Sequence, residues 1–196
     1  MLGLVTPSAG ERLIDNKNIN LFKRDEVLNK FNFASPYVEL PKKLTVKQNL
    51  EIYGRLYGLK DLDKKIEEIS VDLDIKNFFN RKTGELSSGQ KNRVSLAKSL
   101  INKPEILLLD EPTASLDPDI GDFIRSYIQD YKVKNKVTIL LASHNMSEVE
   151  RLCDSVIMMR QGSIIDKGTC KDLIQKHGRG NLEETFLKLA RSKNEF

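Results

Sequence analysis

Residues 86–117, LSSGQKNRVSLAKSLINKPEILLLDEPTASLD, determine the fold that this sequence predicts. The stretch opens with a Ser/Gly-rich helix start and runs through a helix into residues 106–109. These four residues are all apolar, as is typical of a parallel strand that is buried on both faces. Two carboxylates follow the strand directly, and a third stands in a turn before Pro118. A helix that leads into such a strand indicates an α/β sheet.

Strands and helices continue to alternate on the carboxyl side of this stretch. Residues 137–142 form a second apolar run, which predicts another buried strand, and Gln161-Gly162 suits the turn of a hairpin. On the amino side, residues 45–86 show only helical patterns and look inserted. Within this block, residues 60–79 predict two short helices. We therefore predict a parallel α/β sheet that carries a helical insertion.

Several helix starts are marked by a capping residue that is followed, three positions later, by Gln or Glu. In such a capping box the first side chain accepts from a helix amide and the second side chain reaches back. The expected pairs are Thr45 with Gln48, Ser87 with Gln90, Ser147 with Glu150, and Asn181 with Glu184. Asp117 before Pro118 predicts a further start, because Asp is a good cap and Pro fits the first turn.

The composition is that of an ordinary globular protein, with 39% hydrophobic and 31% charged residues in a chain of 196. No apolar run approaches the ~20 residues of a membrane span, and no secretory signal is visible. The net charge of +4 is mild and evenly distributed, so we expect no nucleic-acid partner. Cys153 and Cys170 form no metal or redox motif and are expected to be reduced cytosolic thiols.

The carboxylates after the first strand are candidates for phosphate chemistry. Asp110 and Glu111 stand at its carboxyl end, where open α/β sheets bind their ligands. Asp110 can hold Mg²⁺, and Glu111 can orient or deprotonate an attacking water. The alternative is that both are ordinary charges at the exit from a strand.

The helix start at Ser87 and Gly89 is a candidate anion site. Its first amides have no partner within the helix, and Gly89 lets a phosphate approach the backbone closely. A plain capping box explains the same residues, so this pattern alone does not decide between the two interpretations.

His144 follows the second strand and is one of only two histidines. At the carboxyl end of a strand it can hydrogen-bond a terminal phosphate or the attacking water. A loop histidine that caps a local group is the alternative. The position of His144 one strand after Asp110 and Glu111 favours the functional interpretation.

Together these motifs resemble those of the ATP-binding cassette (ABC) ATPase family. Residues 86–90 are similar to the LSGGQ signature of that family, with Ser88 in place of the first glycine. Residues 106–111 resemble the Walker B strand with its catalytic glutamate, residues 115–117 the D-loop, and His144 the switch histidine. The order and spacing of the motifs agree with the family along essentially the whole chain.

This resemblance implies a P-loop NTPase-like (RecA-like) α/β core with a parallel sheet, incomplete at the amino terminus, and an inserted all-helical subdomain. Residues 1–44 and 101–180 would form the partial core. Residues 45–100 would form the helical subdomain with the signature motif, and residues 181–196 a carboxyl-terminal helix.

The resemblance also implies ATP and Mg²⁺ as ligands and assigns the site residues. The catalytic residues would be Glu111 and His144. Nucleotide contacts would come from Ser87, Ser88, Gly89, Gln90 and Asp117. Asp110 would bind Mg²⁺, and Ser35 occupies the position of the family's Q-loop glutamine, a weak metal position because serine is shorter.

The chain departs from the family in one major respect. It contains no Gly-x-x-x-x-Gly-Lys-Ser/Thr loop, the Walker A motif, and residues 1–14 resemble the segment that follows this loop. Without the amides and lysine of the loop the phosphates lose their main cradle, so we expect an inactive or very weak isolated chain. A truncation, a wrong start site and a decayed gene all remain open as explanations, and the sheet would also lack the strand that leads into the loop.

The function implied is that of a nucleotide-binding subunit of an ABC transporter, which couples ATP binding and hydrolysis to transport by a membrane permease. Export is favoured, because residues 181–186 resemble the tail of drug, lipid and polysaccharide exporter cassettes. The expected partners are a second cassette and a permease that docks near residues 35–60, on the inner face of the cell membrane. The alternative is a non-catalytic or remnant cassette that supplies only a signature half-site; a nucleic-acid or translation-associated ABC protein is less favoured.

Overall fold

A computed structural model describes residues 7–21, 24–114 and 116–191, and two units can be distinguished, Met1–Leu140 and Leu141–Phe196. The first unit contains β1 (Leu13–Ile14), β2 (Lys17–Asn18), α1 (Arg24–Lys30), β3 (Phe31–Ala34), α2 (Val46–Leu56), α3 (Leu62–Asp72), α4 (Ser88–Leu100), β4 (Ile106–Asp110), α5 (Pro118–Asn135) and the start of β5 (Thr138–Ala142). The second unit contains α6 (Met146–Leu152), β6 (Val156–Arg160), β7 (Ser163–Gly168), α7 (Cys170–His177) and α8 (Leu182–Arg191).

A three-stranded sheet in the order β3-β4-β5 positions the candidate site. Strands β3 and β4 are parallel, and their register runs from Phe31 opposite Ile106 to Ala34 opposite Leu109. Leu107 and Leu109 are buried, as the apolar run predicted. Because parallel strands end at the same edge, the residues that follow β3 and β4 emerge side by side.

Strand β5 forms as predicted, but it is less buried than its apolar sequence indicated. Val137 is buried, whereas the side chain of Leu140 is 48% exposed. The reason is that β5 ends the order of the sheet, and among the described residues no strand pairs with its other edge. A strand needs neighbours and covering layers on both faces to bury every side chain.

The helical block begins at the predicted capping box. The Gln48 amide donates to Thr45 Oγ1 at 3.1 Å, and the Thr45 amide donates to Gln48 Oε1 at 2.9 Å. Residues 60–79 were expected to form two short helices, but only α3 and a single 3-10 turn at Lys76–Phe78 are present. Asp74 has a φ of 48°, in the left-handed region, and a right-handed helix cannot continue through it.

Helix α5 starts with Pro118 in its first turn, as predicted, and buries Ile124 and Ile128. Asp117 occupies the N-cap position, but its side chain makes no capping hydrogen bond, contrary to the expectation. The carboxylate of Asp117 therefore has no capping role in this helix.

The second unit is built on the predicted hairpin of β6 and β7. Gln161 and Gly162 have φ values of 49° and 80°, which the tight turn requires. One side of the hairpin packs against α6, α7 and α8 in an apolar cluster of Val149, Met158, Leu173 and Leu182. None of the helices in the described part of the chain is long and apolar enough to span a membrane.

Two helix starts in this unit differ in their outcome. Asn181 caps α8 as predicted, since the Glu184 amide donates to its Oδ1 at 2.8 Å. Ser147 does not cap α6; Asn145 does, by accepting from the Glu148 amide at 3.3 Å. Asn145 has the extended backbone of a capping residue, whereas Ser147 already lies within the first turn.

Candidate functional site

The ends of β3 and β4 bring Ser35 and Asp110 together. Asp110 is exposed at the carboxyl end of β4, and the Ser35 hydroxyl donates to its Oδ2 at 3.1 Å. The Ser35 oxygen in turn accepts from the Tyr37 amide at 3.3 Å, which fixes the turn after β3. Two of the predicted metal-site residues thus form one contact, as their parallel strands require.

This pair suits a magnesium ion that arrives with phosphate groups. A carboxylate and a hydroxyl are hard oxygen ligands, and Mg²⁺ is usually held by one or two carboxylates together with phosphate oxygens and water. Within the described ranges no group of three or more His, Cys, Asp or Glu residues is arranged to hold a metal alone. The Ser35 hydroxyl and the Asp110 carboxylate therefore fit a part of the coordination shell of Mg²⁺, with phosphate oxygens and water as the other ligands.

Glu111 follows directly in an unusual backbone conformation. Its φ is 49°, which costs energy for a residue with a side chain and is typical of functional turns. The Ala114 amide donates to the Glu111 carbonyl oxygen at 3.1 Å, and Asn92 Nδ2 of α4 donates to the Pro112 carbonyl oxygen at 2.7 Å. These bonds hold the turn that carries Glu111, the predicted base. Nothing in the sequence pattern singled out Asn92.

The signature stretch starts α4 with an intact capping box. The Gln90 amide donates to Ser87 Oγ at 3.3 Å, and the Ser87 amide donates to Gln90 Oε1 at 3.1 Å. The simple capping interpretation is thus satisfied. Because the hydroxyl oxygen accepts in this bond, its proton stays available to a phosphate. Both interpretations of Ser87 are compatible with this geometry.

Gly89 lies where α5 packs closely against the start of α4. A Cβ atom on Gly89 would lie 2.7 Å from Ile120 Cδ1, too close for ordinary contact. Gly89 is buried, and the absence of a side chain there is what allows α5 to pack so closely against the start of α4. Ser88 precedes Gly89, and its side chain has room because it lines a cleft.

This cleft is a feature that the sequence did not reveal. Its volume is about 330 Å³, and Ser35 and Ser88 both line it, so the predicted Q-loop position and the signature border the same space. Its other lining residues are mostly apolar and include Pro36, Tyr37, Val38, Leu40, Leu86 and Val94.

The remaining predicted residues lie elsewhere in the described chain. Asp117 is exposed before α5, and Ser115 of the D-loop lies outside the described residues. His144 is exposed in the second unit after β5. Next to it, the Ser143 hydroxyl donates to Oε2 of the buried Glu148 at 2.6 Å and fixes the backbone beside the histidine.

Replacing Ser87 with alanine should lower the free energy of unfolding by about 1 kcal/mol, because one helix amide loses its capping acceptor. Urea denaturation followed by circular dichroism measures the change. Ser88→Ala is the matched control, since Ser88 lies in the first turn without a capping bond; its change should stay within about 0.5 kcal/mol. Equal losses in the two variants would contradict the capping role.

Comparison with known proteins shows which family and which relatives this chain resembles. The sequence profile of the family described as "ABC transporter" matches residues 1–114. The ABC transporter ATP-binding protein NatA of Bacillus subtilis is 40% identical over 147 residues, which are 74% of this chain and 59% of NatA. The methionine import ATP-binding protein MetN 1 of Bacillus cereus is 34% identical over 87% of this chain and 51% of its own length. This chain therefore spans about half to three fifths of these curated relatives.

Solved structures agree with this assignment. A structure described as the ATP-binding subunit of an ABC transporter superposes with a TM-score of 0.84 at 24% identity, over 96% of this chain and 79% of that one, which shows the fold alone. The cassette MJ0796, described as dimeric and bound to ADP and Pi, gives a TM-score of 0.75 at 26% identity, over 85% of this chain and 75% of its own. The fold is the P-loop NTPase fold of ABC cassettes, as predicted. Since the family profile covers more than half of its 196 residues, the chain belongs to the ABC transporter family.

Proposed function

We propose that this chain is a nucleotide-binding subunit of an ABC transporter, in which ATP binds between two cassettes and drives a membrane permease. The observation that carries the proposal is the contact between Ser35 and Asp110 next to Glu111. It supports the proposal because Asp110, the proposed metal ligand, and Glu111, the candidate base, lie at the end of a strand, at the edge where α/β sheets bind ligands. Family membership supports the same conclusion.

Each cassette would contribute to two half-sites. In the chain's own half-site, Asp110 and Ser35 would hold Mg²⁺, and the metal would neutralise phosphate charge. Glu111 would orient the attacking water and accept its proton. The family resemblance assigns to His144 a hydrogen bond to the phosphate or the water. For the half-site of the partner, the signature at Ser87–Gln90, with Ser88 and Gly89, supplies hydroxyl and amide donors, and Asp117 lies nearby in sequence.

A permease would dock beside the cleft, near residues 35–60. The surface there carries large exposed apolar side chains: Tyr37 is 76% exposed and Leu56 is 75% exposed, with Val38 and Ile52 also exposed. Several large exposed apolar side chains within one short range of the chain support a protein interface there. This position would keep the subunit on the cytoplasmic face of the membrane.

We propose export as the direction of transport, on the resemblance of residues 181–186 to exporter tails. Curated relatives carry both kinds of name. MetN 1 is a methionine import protein, whereas a Rhizobium relative, 32% identical over 90% of this chain and 58% of its own length, is the Nod factor export ATP-binding protein I. Uptake of a labelled substrate into inverted membrane vesicles that contain the assembled transporter would support export.

A second candidate function is the supply of a signature half-site to a partner cassette. A chain without this loop retains an intact signature helix start, and it would serve a complete partner cassette while hydrolysing nothing itself. Mixing the chain with such a cassette should then raise the turnover of the partner. ATP turnover by the purified 196-residue chain alone would contradict this second candidate.

The isolated chain should bind ATP weakly, with a dissociation constant above about 1 mM, because the phosphate cradle is absent. Titration with a fluorescent ATP analogue in the presence of Mg²⁺ measures it, and NatA serves as the positive control. A micromolar constant for this chain would show that other residues replace the loop.

Co-purification with an integral membrane protein, rather than with ribosomes or DNA, tests the transporter assignment separately.

A further inference from the structure

Helix α4 carries a buried cation to which the proposed chemistry assigns no task. Lys98 is only 6% exposed, and its Nζ donates to the Phe33 carbonyl oxygen at 2.8 Å. The ammonium also lies 4.3 Å from the ring centre of Phe33 and 5.6 Å from that of Tyr53. Phe33 belongs to β3 and Tyr53 to α2, so a single charge contacts three elements.

Lys98 remains in place at a cost to stability. Among the described residues it forms no salt bridge, and a buried cation without a carboxylate disfavours folding. The same burial lowers the pKa of Lys98 to about 8. The aromatic rings and one carbonyl oxygen compensate only in part.

The strand does not need Lys98 to stay attached to α4. Asn32, itself buried, donates from Nδ2 to the Lys98 carbonyl oxygen at 3.3 Å and to Asn102 Oδ1 at 2.9 Å. Asn102 Nδ2 donates to the Asn29 carbonyl oxygen at 3.2 Å. These amide bonds already hold the start of β3, so the ammonium acts on its far end, two residues before Ser35.

We propose that Lys98 is a positioning residue, whose ammonium fixes the exit of the chain from β3 into Ser35 and links this exit, through Tyr53, to the helical block. The proposal rests on the proposed function in one respect: the helical block is the part that we place against the permease. A movement of α2 when the permease docks would then shift the ammonium of Lys98. Through Lys98 it would shift the exit of β3 and the contact between Ser35 and Asp110.

Lys98→Met tests the proposal on the chain itself, without nucleotide. Hydrogen exchange of the Tyr37 amide, which donates to Ser35, should become about fivefold faster or more, as expected for the loss of one hydrogen bond. The thermal midpoint should stay equal or rise, because an unpaired buried charge is removed. Lys98→Arg, which keeps a cation with several donors, should retain the exchange rate of the original chain.

A second pair of variants tests the link to α2 without touching the cation. Tyr53→Leu removes one ring from the ammonium and should accelerate exchange at Tyr37, whereas Tyr53→Phe keeps the ring and should not. Unchanged exchange at Tyr37 in both Lys98→Met and Tyr53→Leu would overturn the proposal. A lower midpoint with faster exchange throughout β3, β4 and α4 would also overturn it, by showing a purely structural role. None of these measurements involves ATP or a permease. A negative result would therefore count against the role of Lys98 and not against the assignment as a transporter subunit.

Discussion

Extending the chain at Met1 by about 40 residues that carry a Gly-x-x-x-x-Gly-Lys-Ser loop should lower the dissociation constant for ATP from above about 1 mM to the micromolar range, a gain of about 4 kcal/mol. The loop supplies converging backbone amides and a lysine, which this sequence lacks. The corresponding segment of NatA is a suitable donor, given its 40% identity to this chain.

The exposed edge of β5 explains why such an extension should dock. Among the described strands, none pairs with the outer backbone N–H and C=O groups of β5, and these groups offer hydrogen bonds to an added strand. Isothermal titration with ATP and Mg²⁺ measures the gain. The control is the same extension with the lysine of the added loop replaced by alanine, which should lose most of the gain. If the complete extension binds no better than the chain alone, the missing cradle is not what limits affinity.

In the extended chain, Glu111→Gln should reduce ATP hydrolysis about 100-fold or more while ATP affinity changes little. Glutamine keeps the size of the side chain but does not accept the proton of the attacking water. The substitution leaves the left-handed backbone at this position as strained as before, so folding should not change greatly. Phosphate release under saturating ATP, together with a binding titration, separates the two effects.

Glu105→Gln is the matched control, because Glu105 precedes the other end of the same strand and pairs with Lys30 on the surface. It should leave turnover within about twofold, since surface ion pairs contribute little. A loss of less than about tenfold in Glu111→Gln would assign the role of base to another residue. Loss of ATP binding in that variant would assign Glu111 to the binding of the nucleotide instead.

The sequence predicted those elements whose signals are local. The apolar run of β4, the hydroxyls of Thr45 and Ser87 with their glutamines, and the turn at Gln161-Gly162 each act within a few residues, so their structures follow directly. Ser35 and Asp110 were named as metal-site residues by the family resemblance, but their contact depends on the pairing of β3 with β4, which the sequence did not predict.

Other features depend on partners distant in sequence and were missed for that reason. The left-handed Asp74 shortens the predicted second helix, and Leu140 is exposed on a strand whose outer edge no other described strand pairs with. Helix α1 and strand β3 were not predicted at all. Lys98 did leave a signal: it stands four residues after Val94, on the inner face of α4, where a cation is unexpected.

Within the described residues the outer edge of β5 is unpaired, and this has a consequence for how the 196-residue chain behaves in solution. An exposed edge strand can pair with another exposed strand, including the same strand of another copy. Two copies that pair through their β5 edges would have the mass of a cassette dimer. They would not place the signature of one copy against the nucleotide of the other. Association driven in this way grows with protein concentration and is indifferent to ATP, whereas a pair that encloses nucleotide forms in response to it.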